Sequence, residues 1–298
     1  MKEGFIKSFD GYKVYRYLWD DVEKPKGIVQ ILHGMAEHAK RYKDFAKFLN
    51  EHGYIVFADD HRGHGKTAGK EKLGIYEGHD VIWDTIMDEI YFSRLLNEEY
   101  KLPLYVFGHS YGSFILQAYI QKSDIYKKAI MCGSACMKGK LNVKLGKFAA
   151  QNIIRKQGKY APATQIANLS FGRYNKKLKN ESWLNTSAEE AAKYYADPYC
   201  GKIMSAGFYE DFFSLFDWVY NPTMLKKIDK TKPIFLIAGK QDMVGNKGKL
   251  VKKLFKMYIS YDIEGVQMRL YDNARHEILN EPNIKEEVYN DILKFIEK

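Results

Sequence analysis

The sequence is short of cysteine and has no long apolar run, and each lack removes a class of protein. Its three cysteines, Cys132, Cys136 and Cys200, are an odd number without metal-ligand spacing. Neither a disulfide framework nor a cysteine metal site is therefore expected. Cys132 lies in an apolar stretch and reads as a buried small hydrophobe. A reduced, cytoplasmic setting follows. No apolar stretch approaches the ~18 residues of a membrane span. The opening MKEGFIKSFDGYKVYRYLW is too charged and too broken for a signal peptide. There is no internal repeat, no low-complexity segment and no recognised nucleic-acid motif, so nucleic acid is not an expected partner.

What is present suits a large α/β fold: 298 residues, 46% of them hydrophobic. Of the formal charge of +10, residues 137–212 carry +7, with 13 Lys and Arg against 6 Asp and Glu. Such an excess is either a solvated lysine-rich surface or an attraction to anionic lipid or substrate.

Apolar runs and helical patterns alternate along the chain. Two N-terminal strands, residues 4–9 and 13–19, meet through Asp10-Gly11, a hairpin pair. Strands are then expected at 27–34, 54–60, 104–107, 127–135, 232–242 and 266–274. Helices follow at 42–49, 81–100, 114–118, 247–260 and 285–297. This rhythm predicts a mostly parallel sheet flanked by helices on both faces. Residues 137–212 break it, being helical, tyrosine-rich and basic, with a capping box from Thr186 to Glu189. They are expected to form a cap inserted after the sixth strand, between core segments 1–136 and 213–298. Within the cap, Leu141, Leu145, Phe148 and Ala149 share one helical face among lysines. That stripe is expected to pack on the domain beneath, a role compatible with contact at a membrane surface.

One junction carries the chemistry. In PLYVFGHSYGSFILQAY an apolar strand gives way to a helix through Gly108-His109-Ser110-Tyr111-Gly112. Reversing the chain so tightly strains the serine backbone and lifts its hydroxyl clear of the sheet. A Cβ at Gly108 or Gly112 would collide with a neighbouring element. This is a nucleophile elbow. A serine hydroxyl needs a base, and the base an orienting acid, each in a later loop after a strand. His276, in ARHEIL, is the one histidine downstream of Ser110. For the acid, Asp242 closes a strand. Asp262 reads as a helix end, and Asp272 lies too close to His276 along one connection to orient it well. Asp242 is preferred. The oxyanion of an acyl intermediate needs amide donors, expected from the backbone N–H groups of Tyr111 and of Met35 in HGMAEH. There His33 supports the motif and Gly34 lets the backbone turn. His109 reads as a packed support rather than a base. The two histidines and two aspartates of DDHRGHGK invite a metal, but a strand-end turn at Gly63 and Gly65 explains them and no complete ligand set is evident. No metal and no cofactor is expected.

HGMAEHAKRY, ADDHRGHG, GHSYGS, AGKQDMVG and ARHEIL, in that order, resemble the monoacylglycerol lipase and lysophospholipase group of α/β-hydrolases. The resemblance spans nearly the whole chain and is weakest in the cap, although ADPYCG followed by FYEDFF looks like that group's cap exit. It implies the α/β-hydrolase fold and a serine esterase with Ser110 as nucleophile, Asp242 as acid and His276 as base. Met35 and Tyr111 match the oxyanion positions. Ser113, where relatives commonly carry glycine, and the bulky Tyr111 are departures. The expected substrate is a carboxylic ester of a single-chain lipid, with the basic cap meeting anionic membrane. A carboxylesterase for small soluble esters, an aminopeptidase-like hydrolase and a catalytically silent binding protein are the alternatives.

Overall fold

The computed structural model describes residues 1–172, 174, 178 and 181–298. Arg173, Lys176, Lys177 and Lys179, all within the expected cap, lie outside the described residues. Strands β1 (Lys2–Lys7) and β2 (Lys13–Trp19) form the N-terminal hairpin. Its turn starts earlier than Asp10-Gly11 implies. Ser8 N donates to Tyr12 O at 2.9 Å and Gly11 N to Ser8 O at 3.0 Å, so β1 stops short of Phe9. The chain then alternates through β3 (Gly27–Leu32), α1 (Lys43–Glu51), β4 (Tyr54–Asp60), α2 (Val81–Tyr100), β5 (Leu104–His109), α3 (Tyr111–Lys122) and β6 (Lys128–Cys132). A helical insertion follows with α4 (Leu141–Gln157), α5 (Ala188–Ala196) and α6 (Ala206–Val219). The core resumes with β7 (Ile234–Gly239), α7 (Lys249–Ser260), β8 (Gln267–Tyr271) and α8 (Lys285–Glu297).

The strands form one eight-stranded sheet in the order β1-β2-β4-β3-β5-β6-β7-β8. Pairs β1/β2 and β2/β4 are antiparallel and the rest parallel. Every residue of β3, β4 and β7 is buried, as a parallel sheet covered on both faces requires. Helices α1 and α8 cover one face; α2, α3 and α7 cover the other. This is the helix-flanked, mostly parallel sheet implied by the resemblance, with its helical insertion after the sixth strand. The winding changes direction at β3, which pairs with β4 on one side and β5 on the other. Loops leaving the carboxyl ends of β3 and β5 therefore diverge and open a crevice, the usual ligand position in such sheets. Among the described residues no helix is long and apolar enough to cross a membrane.

The insertion departs from three expectations. Of the expected stripe Ala149 packs on the core, but Leu141, Leu145 and Phe148 turn outward, 69%, 58% and 64% exposed. Helix α4 instead buries Val143 and Ala150, which share a face with Gly146. A Cβ on Gly146 would lie 2.5 Å from the Phe213 ring of α6, so the small residue lets the two helices close and turns the larger apolar side chains outward. The capping box also shifts by one residue. Ser187, not Thr186, caps α5, accepting from Glu190 N at 3.3 Å. Thr186 is taken by the core, its N–H donating to Glu281 Oε1 at 3.0 Å. Helix α6 runs on past Phe212, where the cap was expected to end, and buries Phe216 and Val219 in the same apolar layer as α2 and α3.

Candidate active site

Strand β5 ends at His109 and helix α3 begins at Tyr111, leaving Ser110 alone to turn the chain. Its φ of 52° and ψ of −116° put a non-glycine residue in a region that L side chains avoid, at a cost of ~1–3 kcal/mol that the surroundings must offset. They do so by close packing. A Cβ on Gly108 would lie 2.6 Å from Gly112 O, and one on Gly112 would meet Leu32 O and lie 2.6 Å from His33 O. The first turn of α3 is thus seated against the end of β3. Ser110 N donates to Cys132 O at 2.9 Å, tying the turn to β6 as well.

His276 and Asp242 approach from the far side of the sheet, in the loops after β8 and β7. His276 Nδ1 lies 3.0 Å from Asp242 Oδ1, and both side chains are buried. Asp242 Oδ1 also accepts from Val244 N at 2.8 Å, which fixes the carboxylate. The competing acids are elsewhere. Asp272 pairs with Lys240 at 2.7 Å and Asp262 with Lys230 at 3.2 Å, both largely exposed. The His276 ring sits 4.8 Å from the His109 ring and 4.9 Å from Trp183 of the insertion. His109 is a support: its Nδ1 lies 2.9 Å from Tyr42 Oη and 3.3 Å from Glu37, and its Nε2 lies 3.3 Å from His276 O. Burial lowers its pKa, but Glu37 more than reverses this and raises it.

The loop after β3 is organised by Glu37, to which the sequence reading assigned no role. Glu37 Oε1 accepts from Gly34 N at 2.6 Å and from Tyr42 Oη at 2.8 Å. A Cβ on Gly34 would touch this carboxylate at 2.5 Å, so Gly34 is required for space; its φ is not positive. Arg41 bonds Glu37 and also clamps Glu277 with two bonds of 2.6 and 2.9 Å. One partly buried guanidinium thus joins the Met35 loop to the loop that carries His276. Burial pushes the Glu37 carboxyl up, and Arg41 and His109 outweigh it, holding it well below the usual carboxylate range. Glu37 and Arg41 lie inside HGMAEHAKRY and Glu277 inside ARHEIL. Their only mark in the sequence is charge in segments that otherwise bury. Trp183 has no such mark.

The insertion reaches the same loop. Arg275 Nη1 donates to Ser182 O at 2.7 Å, and Glu277 N donates to Leu184 O at 2.8 Å. The DDHRGHGK segment is buried and densely hydrogen-bonded. Arg62 is fully buried between Asp10 and Asp88, with bonds of 2.6 to 2.9 Å. His61 Nδ1 lies 3.3 Å from Asp59 and 3.1 Å from Glu89. Burial opposes its charge, yet Asp59 and Glu89 raise its pKa to about 10. A cavity of about 530 Å³ adjoins the Asp242 loop, lined by Met137, Leu145, Ala149, Phe213, Met243 and Val244 among others. Neither Tyr111 nor Met35 lines it. The Tyr111 ring is buried against His64, Phe208 and Phe212 instead.

Known proteins resemble this chain in sequence and fold. A monoacylglycerol lipase of Mycolicibacterium smegmatis is 27% identical, over 92% of this chain and 90% of its own. A monoglyceride lipase of Saccharomyces cerevisiae is 24% identical, over 98% of this chain and 92% of its own. Among solved structures, a thermostable carboxyl esterase from Bacillus coagulans superposes with a TM-score of 0.89 at 28% identity, covering 99% of this chain and 97% of that one. The profile of the family described as serine aminopeptidase, S33, matches residues 23–283. The match spans most of a chain whose loops after β5, β7 and β8 carry Ser110, Asp242 and His276, and the chain belongs to the serine aminopeptidase S33 family of α/β-hydrolases.

Proposed function

We propose that this carboxylic ester hydrolase cleaves esters of single-chain lipids, monoacylglycerols first and lysophospholipids second, through an acyl-enzyme on Ser110. The observation that carries the reading is the strained serine at a strand–helix junction, whose neighbour His109 has its ring 4.8 Å from that of His276, itself 3.0 Å from the buried Asp242. His276 Nε2 takes the Ser110 proton as the hydroxyl attacks the ester carbonyl, while Asp242 holds the ring and balances its charge. The Met35 and Tyr111 N–H groups receive the oxyanion. The protonated His276 then gives its proton to the departing alcohol, and a water repeats the sequence in reverse to release the acid. The apolar cavity beside the acid loop suits an acyl chain in size and character. Named lipase relatives of nearly full length support the same substrate class. Residues 137–212 serve as the cap over this route.

Asp242→Asn should lower turnover by about 10⁴-fold, the scale of losing the carboxylate that orients a triad histidine. Asp272→Asn should leave turnover nearly unchanged, and the opposite ranking would reassign the acid. The substrate class is tested with glyceryl and nitrophenyl esters from acetyl to long-chain acyl. Catalytic efficiency should rise with chain length. A maximum at acetyl would make the protein an esterase of small soluble esters, and preference for amino-acyl anilides would make it a peptidase. No hydrolysis of any of them would leave a binding protein.

The exposed Leu141, Leu145 and Phe148 lie on α4 with Lys144, Arg155 and Lys156, an apolar patch with a basic rim. Each cation near an anionic surface contributes at most about 1 kcal/mol, screened by salt over a Debye length of ~10 Å. Vesicle binding should therefore require anionic lipid and fade as salt is added. Exchanging Lys144, Arg155 and Lys156 for glutamine should weaken it without altering turnover of a short soluble ester. Equal binding to neutral and anionic vesicles would exclude the electrostatic role.

A further inference from the structure

The proposed oxyanion donors are two backbone N–H groups, and a backbone N–H has no side chain of its own to aim it. A peptide unit is planar and trans, so its N–H points opposite to its carbonyl. Whatever holds the carbonyl therefore aims the N–H. In the Ser110–Tyr111 peptide the carbonyl accepts from Ser113 N at 2.9 Å and Phe114 N at 3.2 Å, bonds that any helix start supplies. It also accepts from Ser113 Oγ at 2.6 Å, and that side chain is fully buried. In the Gly34–Met35 peptide the carbonyl lies 2.7 Å from His33 Nδ1. His33 Nε2 accepts from the His61 backbone N–H at 2.9 Å, which leaves the ring proton on Nδ1 to donate to Gly34 O. Burial, with His61 and His64 alongside, holds the His33 pKa well below its ordinary value, so the ring stays neutral. Stacking on His61, at 3.9 Å between centroids and 18° between planes, fixes its orientation.

We propose that Ser113 and His33 are positioning residues for the oxyanion hole, each holding the carbonyl of one of the two peptides whose N–H groups receive the developing charge. The inference rests on the serine-hydrolase reading above. The two held peptides are also fixed relative to each other, because the first turn of α3 is seated against His33 O across Gly112. The oxyanion exists only after attack, so loosening its donors should act on kcat and spare KM.

Ser113→Ala should lower kcat for a short soluble ester roughly tenfold, less than the 10²–10³ lost when an oxyanion donor is removed outright. KM and the acid limb of the pH–rate profile should not move. Affinity for a trifluoromethyl ketone, whose serine adduct places an oxyanion in the same hole, should fall by the same factor as kcat. For His33, Asn keeps an N–H near the Nδ1 position, so His33→Asn should retain more kcat and ketone affinity than His33→Ala. If the buried His33 variants fail to fold, the Ser113 arm decides alone. Wild-type kcat and ketone affinity in Ser113→Ala, or a loss confined to KM, would overturn the proposal. Ser110→Ala is run alongside: if it retains turnover, the reading of the site fails, whatever Ser113→Ala does.

Discussion

The fit of the first turn of α3 against the end of β3 is the contact on which the site depends. Because Gly112 lies directly against Leu32 O and His33 O, the strained turn at Ser110 cannot relax without parting a helix from the central sheet. That contact also sits at the change in winding direction, where the β3 and β5 loops separate. Strain, crevice and nucleophile thus have one origin. A looser elbow would let Ser110 return to an ordinary conformation, and its hydroxyl would drop back towards the sheet.

Around this contact the protein spends charge rather than apolar surface. Glu37, Arg41 and Glu277 form a largely buried acid–base–acid chain that links the loop after β3 with the loop after β8. Such a chain is a poor source of net stability, because desolvation consumes much of its attraction. Its geometric effect is clearer: Gly34 N is fixed at one end, and the residue next to His276 at the other. The insertion adds a second hold on both loops, through Arg275, Leu184 and Trp183 at the His276 loop and through Tyr194 Oη and Gly201 N, which donate to Ala36 O at 2.9 and 2.8 Å, at the Met35 loop. The histidine is therefore braced from both the core and the insertion, and so is the elbow, where Tyr111 packs on Phe208 and Phe212 of α6.

Most of the core is legible in the sequence. Strand β4 and helices α2 and α8 have the expected bounds, since long apolar runs and 3.6-residue patterns dominate there. The elbow is legible because its two glycines answer a steric demand. The histidine is legible because no other lies downstream, and Asp242 because it ends a strand. What escapes is set by tertiary partners. The face that α4 buries depends on Phe213, distant in sequence, meeting Gly146. The cap of α5 depends on Glu281 capturing Thr186. Glu37 reads as an ordinary surface acid until Arg41 and Gly34 N are seen around it. Ser113 reads as a departure from a glycine pattern until its hydroxyl is found on Ser110 O.

Covalent labelling decides whether Ser110 is the nucleophile. The folded protein would be treated with a fluorophosphonate, digested, and the modified peptide sequenced by mass spectrometry. One phosphonyl group per chain is expected, on Ser110, with labelling lost in Ser110→Ala. Stoichiometric modification of any other residue, or labelling that persists in Ser110→Ala, would contradict that role.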